Sequence, residues 1–126
     1  MGGNAATQAL TVIVRGIALG ELTWGNSRKV VFKEALVGLG NGLVLGTLGG
    51  GVAWLMSGTL FLGLILALAM VINLLVAAIA ATVIPIALRA LRTDPALASA
   101  VFITTLTDVF GFFTFLGLAT IFLQYL

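Results

Sequence analysis

The chain has 126 residues, 61% of them hydrophobic and only 8% charged, with a formal net charge of +2 and a mean hydropathy of +1.26. Soluble domains carry about 25% charged residues, so this composition excludes a water-solvated core and makes the bilayer the solvent. Cysteine and histidine are both missing, which excludes disulfides, thiolate or imidazole metal sites, and Ser/His or Cys/His nucleophilic pairs.

The length accommodates four helices of the ~20 residues needed to cross hydrocarbon. With no period-two alternation to suggest a barrel, one all-α integral membrane domain over 1–126 is expected. Its spans fall near 2–20, 30–56, 60–88 and 95–125 and form a four-helix transmembrane bundle. No nucleophile and base can be assembled from these side chains, so an enzyme is not expected. Any bound metal must accept oxygen ligands, which suit Mg²⁺, Ca²⁺ or Mn²⁺. No basic face with interleaved aromatics appears, so nucleic acid is not an expected partner.

In the first span Asn4, Gln8, Thr11 and Arg15 recur at steps of four, three and four, which on a helix is one polar stripe. In lipid that stripe must face protein or water, either through interhelical hydrogen bonds or as a pore lining. From Met1 to Arg15 is only about 21 Å of helix, against ~30 Å of hydrocarbon. Either the native protein continues upstream, the favoured expectation, or this span is thinner than its neighbours.

Glu21 to Glu34 is the most charged stretch, with Arg28, Lys29 and Lys33. It reads as a loop leading into an interfacial helix start, with Trp24 at headgroup level. Glu34 stands at the mouth of the second span, as a surface acid or a cation ligand. Within that span Gly38, Gly42, Gly46 and Gly50 form a ridge at intervals of four that lets another backbone approach closely. The run Gly49-Gly50-Gly51 is expected to loosen the helix end. Ser57-Gly58-Thr59 is a turn. In the third span Ala69, Asn73, Ala77, Ala81 and Pro85 make a small, slightly polar face, and Pro85 is expected to bend the helix.

Thr93-Asp94-Pro95 is a helix start, with Asp94 as N-cap and Pro95 at the first helical position. Beyond it, the last span holds a single charged residue, Asp108, with Thr104, Thr105, Thr107 and Gly111 close by. A charged acid at that depth costs at least ~2.5 kcal/mol, so it should face a water-filled path or a partner. It is the leading functional candidate, the alternative being a protonated or hydrogen-bonded packing residue. On a continuous helix from Asp94 the two acids would lie roughly 21 Å apart on one wall, within about 40° of each other, and Thr104 would share that wall.

The other nine charges lie in two islands separated by two spans. The positive-inside rule makes that side cytoplasmic and places both termini and the Ser57 turn outside.

These residues resemble the transmembrane region of MgtE-type magnesium channels, from within the second span to the end of the fifth. The resemblance rests on Gly3-Asn4 with Gln8, on Arg15-Gly16-Ile17-Ala18 with Gly20-Glu21, on Lys33-Glu34 with Val37-Gly38, and on Asn73 and Pro85. It continues through Asp94-Pro95-Ala96, Thr105 and Asp108-Val109-Phe110-Gly111. Ala6 departs from the glycine usual there, and Ala100-Val101 from a polar or glycine residue followed by proline, so Ala100 offers no side-chain ligand.

What the resemblance implies is a homodimer in the cell membrane with its pore along the dimer axis, lined by the second and fifth spans, transporting and binding Mg²⁺. Asp108 would be the acid that holds the hydrated ion, with Thr104 one turn before it, and Glu34 and Asp94 would match acids at the cytoplasmic mouth. Asn4, Gln8, Thr11 and Thr105 are the further lining candidates. The family's first span and its cytosolic sensing region, with CBS modules and a plug helix, are not in this sequence. The rival readings are a proton-coupled carrier, in which Asp108 changes protonation, and a non-conducting assembly segment of a larger transporter.

Overall fold

A computed structural model describes residues 1–97 and 100–126. Four α-helices account for nearly all of them: α1 Gly2–Ala18, α2 Ser27–Ser57, α3 Leu60–Ala90 and α4 Ala100–Ile121. Short 3-10 turns cover Pro95–Leu97 and Leu123–Tyr125. In hydrocarbon every backbone polar group must be satisfied within its own segment, which is why so apolar a chain folds as helices joined by minimal turns.

Helices α2, α3 and α4 are long and apolar enough to cross a membrane. At 17 residues, α1 is only about 25 Å long and falls short of that length. Large apolar side chains face outward, with Leu55 80%, Met56 85% and Phe113 76% exposed, an arrangement that only a lipid solvent tolerates.

The organising element is α3, which presents neighbouring faces to different partners. One face receives the glycine ridge of α2. A Cβ placed on Gly38 would sit 2.7 Å from Ala78 Cβ, on Gly42 2.8 Å from Val71 Cα, on Gly46 2.8 Å from the Ala67 carbonyl oxygen, and on Gly50 2.5 Å from the Gly63 carbonyl oxygen. The contacts march along α3 in reverse order, so the two helices run antiparallel with their backbones nearly touching. The ridge therefore packs as its spacing suggests. The glycine run at 49–51, expected to loosen the end of α2, instead stays helical to Ser57. Contact with the backbone of α3 holds it there. Gly58 then ends the helix in the left-handed conformation, φ +70°, donating its N–H to Trp54 O at 2.8 Å.

The other face of α3 meets α1 and α4. Ala77 and Ala81 of α3, Ala6 and Leu10 of α1, and Ile103 of α4 form one buried cluster. Ala6 is fully buried within it, so the methyl group that stands in place of the resembled family's glycine is accommodated. Pro85 is buried and the helix continues through it to Ala90.

Two tertiary contacts fix the ends of the bundle. Arg89, near the end of α3, donates from Nη1 to Leu22 O at 2.6 Å, tying the α1–α2 loop to the end of α3. At the opposite end the rings of Phe61 and Tyr125 stack with centroids 5.0 Å apart. The two charged islands therefore share one end. Because Gly2 packs on Asn73 while the loop after α1 reaches Arg89, α1 runs beside only the half of α3 that leads to the charged end.

Candidate functional site

The fold lifts Asp108 to mid-depth. Thr107 is fully buried and donates from Oγ1 to Thr104 O at 2.9 Å. The next residue, Asp108, is a step of about 100° further round the helix and falls on the exposed side of α4. There it lines a cleft of about 310 Å³ together with Asn73, Thr107 and Gly111, walled by Met70 and Phe112. Asn73 lies 13 residues into the 31-residue α3, about 20 Å from its start, so the cleft opens near the middle of the bundle.

Asn73 is the residue that sequence reasoning left among the small-face positions of α3. Its side chain sits between the two helices that flank it. A Cβ on Gly2 would fall 2.6 Å from Asn73 Nδ2, and a Cβ on Gly111 2.9 Å from the same atom. A side chain at either glycine would make the carboxamide shift from this place. Its oxygen, Oδ1, is buried with no hydrogen-bond partner among the described residues, a state that costs about 1–3 kcal/mol. The available signal was a single amide in the most apolar helix of the chain, since such groups are rare in spans without a reason.

The stripe on α1 faces outward: Asn4, Gln8, Thr11 and Arg15 are all exposed. Its hydroxyl is already engaged, because Thr11 Oγ1 donates to Thr7 O at 2.9 Å. Thr104 is half-buried, with its methyl 3.0 Å from where a Cβ on Gly3 would be and its hydroxyl donating to Val101 O at 3.1 Å. It joins α1 to α4. Thr105 is exposed, bonded to Val101 O at 2.8 Å.

The remaining acids lie apart from Asp108. Glu34 is half-buried and lines a separate cleft of about 200 Å³ with Gln8 and Asn41, so the structure brings Gln8 of α1's stripe and Glu34 together. Asp94 is exposed and accepts the Ala96 N–H at 3.0 Å. It caps a 3-10 turn, while the described part of α4 starts at Ala100, so the wall drawn from Asp94 to Asp108 on one continuous helix does not carry over. Among the described residues no group of three or more acids is placed to hold a metal. Among the described residues, then, Asp108 offers a lone carboxylate in a cleft shared with the amide of Asn73 and with Thr107. That arrangement can attract a cation without stripping its water.

The model of the MgtE family, described as a divalent cation transporter, matches residues 1–118. Curated relatives include the magnesium transporter MgtE of Bacillus subtilis strain 168, 33% identical over 98% of this chain. The magnesium transporters MgtE of Enterococcus faecalis and Thermus thermophilus are each 36% identical over the same share. The chain spans 27–28% of the length of these relatives. With a family model covering nearly the whole chain and the acid, amide and glycines of the cleft set in a membrane-type bundle, the chain belongs to the MgtE family of divalent cation transporters.

Proposed function

We propose that this chain forms the ion-conducting part of a magnesium transporter, a homodimer in the cell membrane whose pore runs along the two-fold axis. The observation that carries the reading is the exposure of Asp108 at mid-depth on a helix that holds no other charged residue. An ionised carboxylate held there demands water and a cation, because lipid solvates neither. Mg²⁺ gives up its waters reluctantly and favours octahedral oxygen, so one carboxylate per subunit accepting hydrogen bonds from those waters recognises the hydrated ion. A single acid per subunit also binds weakly enough to release it.

The exposed stripe of Asn4, Gln8 and Thr11 supports a polar lining on the half of the path toward the charged end. Glu34 and Asp94, both at that end, are proposed to gather cations at the mouth. Thr104 and Thr105 contribute through the turn preceding Asp108. The basic islands support a cytoplasmic location for this end by the positive-inside rule, which would put both termini outside.

The test is Mg²⁺ flux into proteoliposomes, comparing the natural chain with Asp108→Asn. Flux is expected to be driven by membrane potential alone and to vanish in the variant while insertion and dimerisation persist. Equal flux in the variant removes Asp108 from the mechanism. A requirement for a pH gradient favours a proton-coupled carrier, and no flux from the natural chain favours an assembly segment of a longer transporter.

A further inference from the structure

Packing accounts for the volume of Asn73 but not for its oxygen. The carboxamide fills the notch left by the missing Cβ atoms of Gly2 and Gly111. A leucine, with the same branching and the same number of heavy atoms, would offer that notch an apolar occupant. Yet the residue carries a buried acceptor with no partner among the described residues, in the helix of highest hydropathy. Buried polar atoms in native proteins find partners, and the exceptions call for a ligand, ion or ordered water that supplies the donor.

The same cleft holds Asp108, and what that cleft would take is a cation that keeps its waters. Such an ion brings O–H donors pointing outward in several directions, of which one carboxylate engages only those on its own side. The terminal torsion of asparagine is broad, so rotation of the carboxamide is the movement that would bring its oxygen to the cleft when a hydrated ion arrives.

We propose that Asn73 is the second polar group of the Asp108 site, its carboxamide oxygen accepting a hydrogen bond from a water of the hydrated divalent cation. The inference rests on the reading of Asp108 as the acid that holds the cation. Asn73 thereby contributes to selectivity for a hydrated ion, since a neutral acceptor placed beyond the first shell rewards an ion that arrives with its waters intact. The packing on Gly2 and Gly111 is what holds the amide beside the acid.

The experiment measures thermal unfolding of the chain in lipid nanodiscs across a Mg²⁺ titration, for the natural sequence, Asn73→Leu, Asn73→Ala and Asp108→Asn. Asn73→Leu is expected to unfold at or above the natural midpoint without divalent cation, because it removes an unpaired buried acceptor. It should need roughly three- to tenfold more Mg²⁺ for the same stabilisation, the loss of one hydrogen bond. Asn73→Ala should show the same weakened titration from a lower starting midpoint. A lower midpoint with unchanged Mg²⁺ dependence in both Asn73 variants makes the residue a packing element and overturns the proposal, as does failure of both to fold. If Asp108→Asn keeps the full Mg²⁺ response, the site reading itself fails. If it loses the response while Asn73→Leu retains it, only the role of Asn73 is refuted.

Discussion

Two glycines of α2, two positions apart, should respond oppositely to the same substitution. Gly42 faces α3, and the methyl group of Gly42→Ala would sit 2.8 Å from Val71 Cα and 3.2 Å from Val71 O. Those are backbone atoms with no rotamer in which to retreat. Carbon atoms pack best at about 3.5–4.0 Å, so the helices must part locally by about 0.7–1.2 Å, and a gap of that order forfeits a quarter to a half of each neighbouring contact. Overpacking of this kind costs about 1–3 kcal/mol. Gly40 has nothing within 4 Å of its Cβ position, so Gly40→Ala adds only helix propensity, a gain of up to about 1 kcal/mol. Reversible unfolding in bicelles, with both variants beside the natural chain, measures the difference. Equal effects, or greater damage from Gly40→Ala, would mean that α2 does not pack on α3 through this ridge.

Three further outcomes are expected. Arg92 closes α3 with φ +55°, a conformation that disfavours side chains, while Thr93 N–H bonds to Leu88 O at 2.9 Å. Arg92→Gly should therefore stabilise by up to about 1 kcal/mol, read as a higher unfolding midpoint. Arg89→Leu removes the charged donor from Leu22 O; its part-exposed setting keeps the cost near the low end of about 1.5–3 kcal/mol, and proteolysis within 19–26 should quicken while cleavage at Ser57–Thr59 stays unchanged. Gly58→Ala forces a methyl into a left-handed cap and should cost about 1 kcal/mol, visible in the same unfolding assay.

Most of the scaffold is legible in the chain because it depends on local quantities. Hydropathy names the solvent, the uncharged turn at Ser57-Gly58-Thr59 separates two long helices, and Asp108 is conspicuous as the lone acid of its span. The four-residue glycine spacing shows that a ridge exists, and the structure supplies its partner. The glycine run at 49–51 misled for a related reason: its conformational freedom is a property of the isolated chain, whereas its helicity comes from the backbone of α3 lying against it.

What the sequence by itself determined is the kind of solvent, the helical breaks, the shared end of the charged islands and the acid at mid-span. All of these follow from composition and periodicity within a few turns. Only the tertiary structure decided that α3 is the centre, that α1 lies along one half of it, and that Asn73 of one helix stands between Gly2 and Gly111 of two others beside Asp108. Those facts depend on which faces meet. A helix carries several faces of comparable apolarity, and the choice among them is made by close packing across residues far apart in the chain.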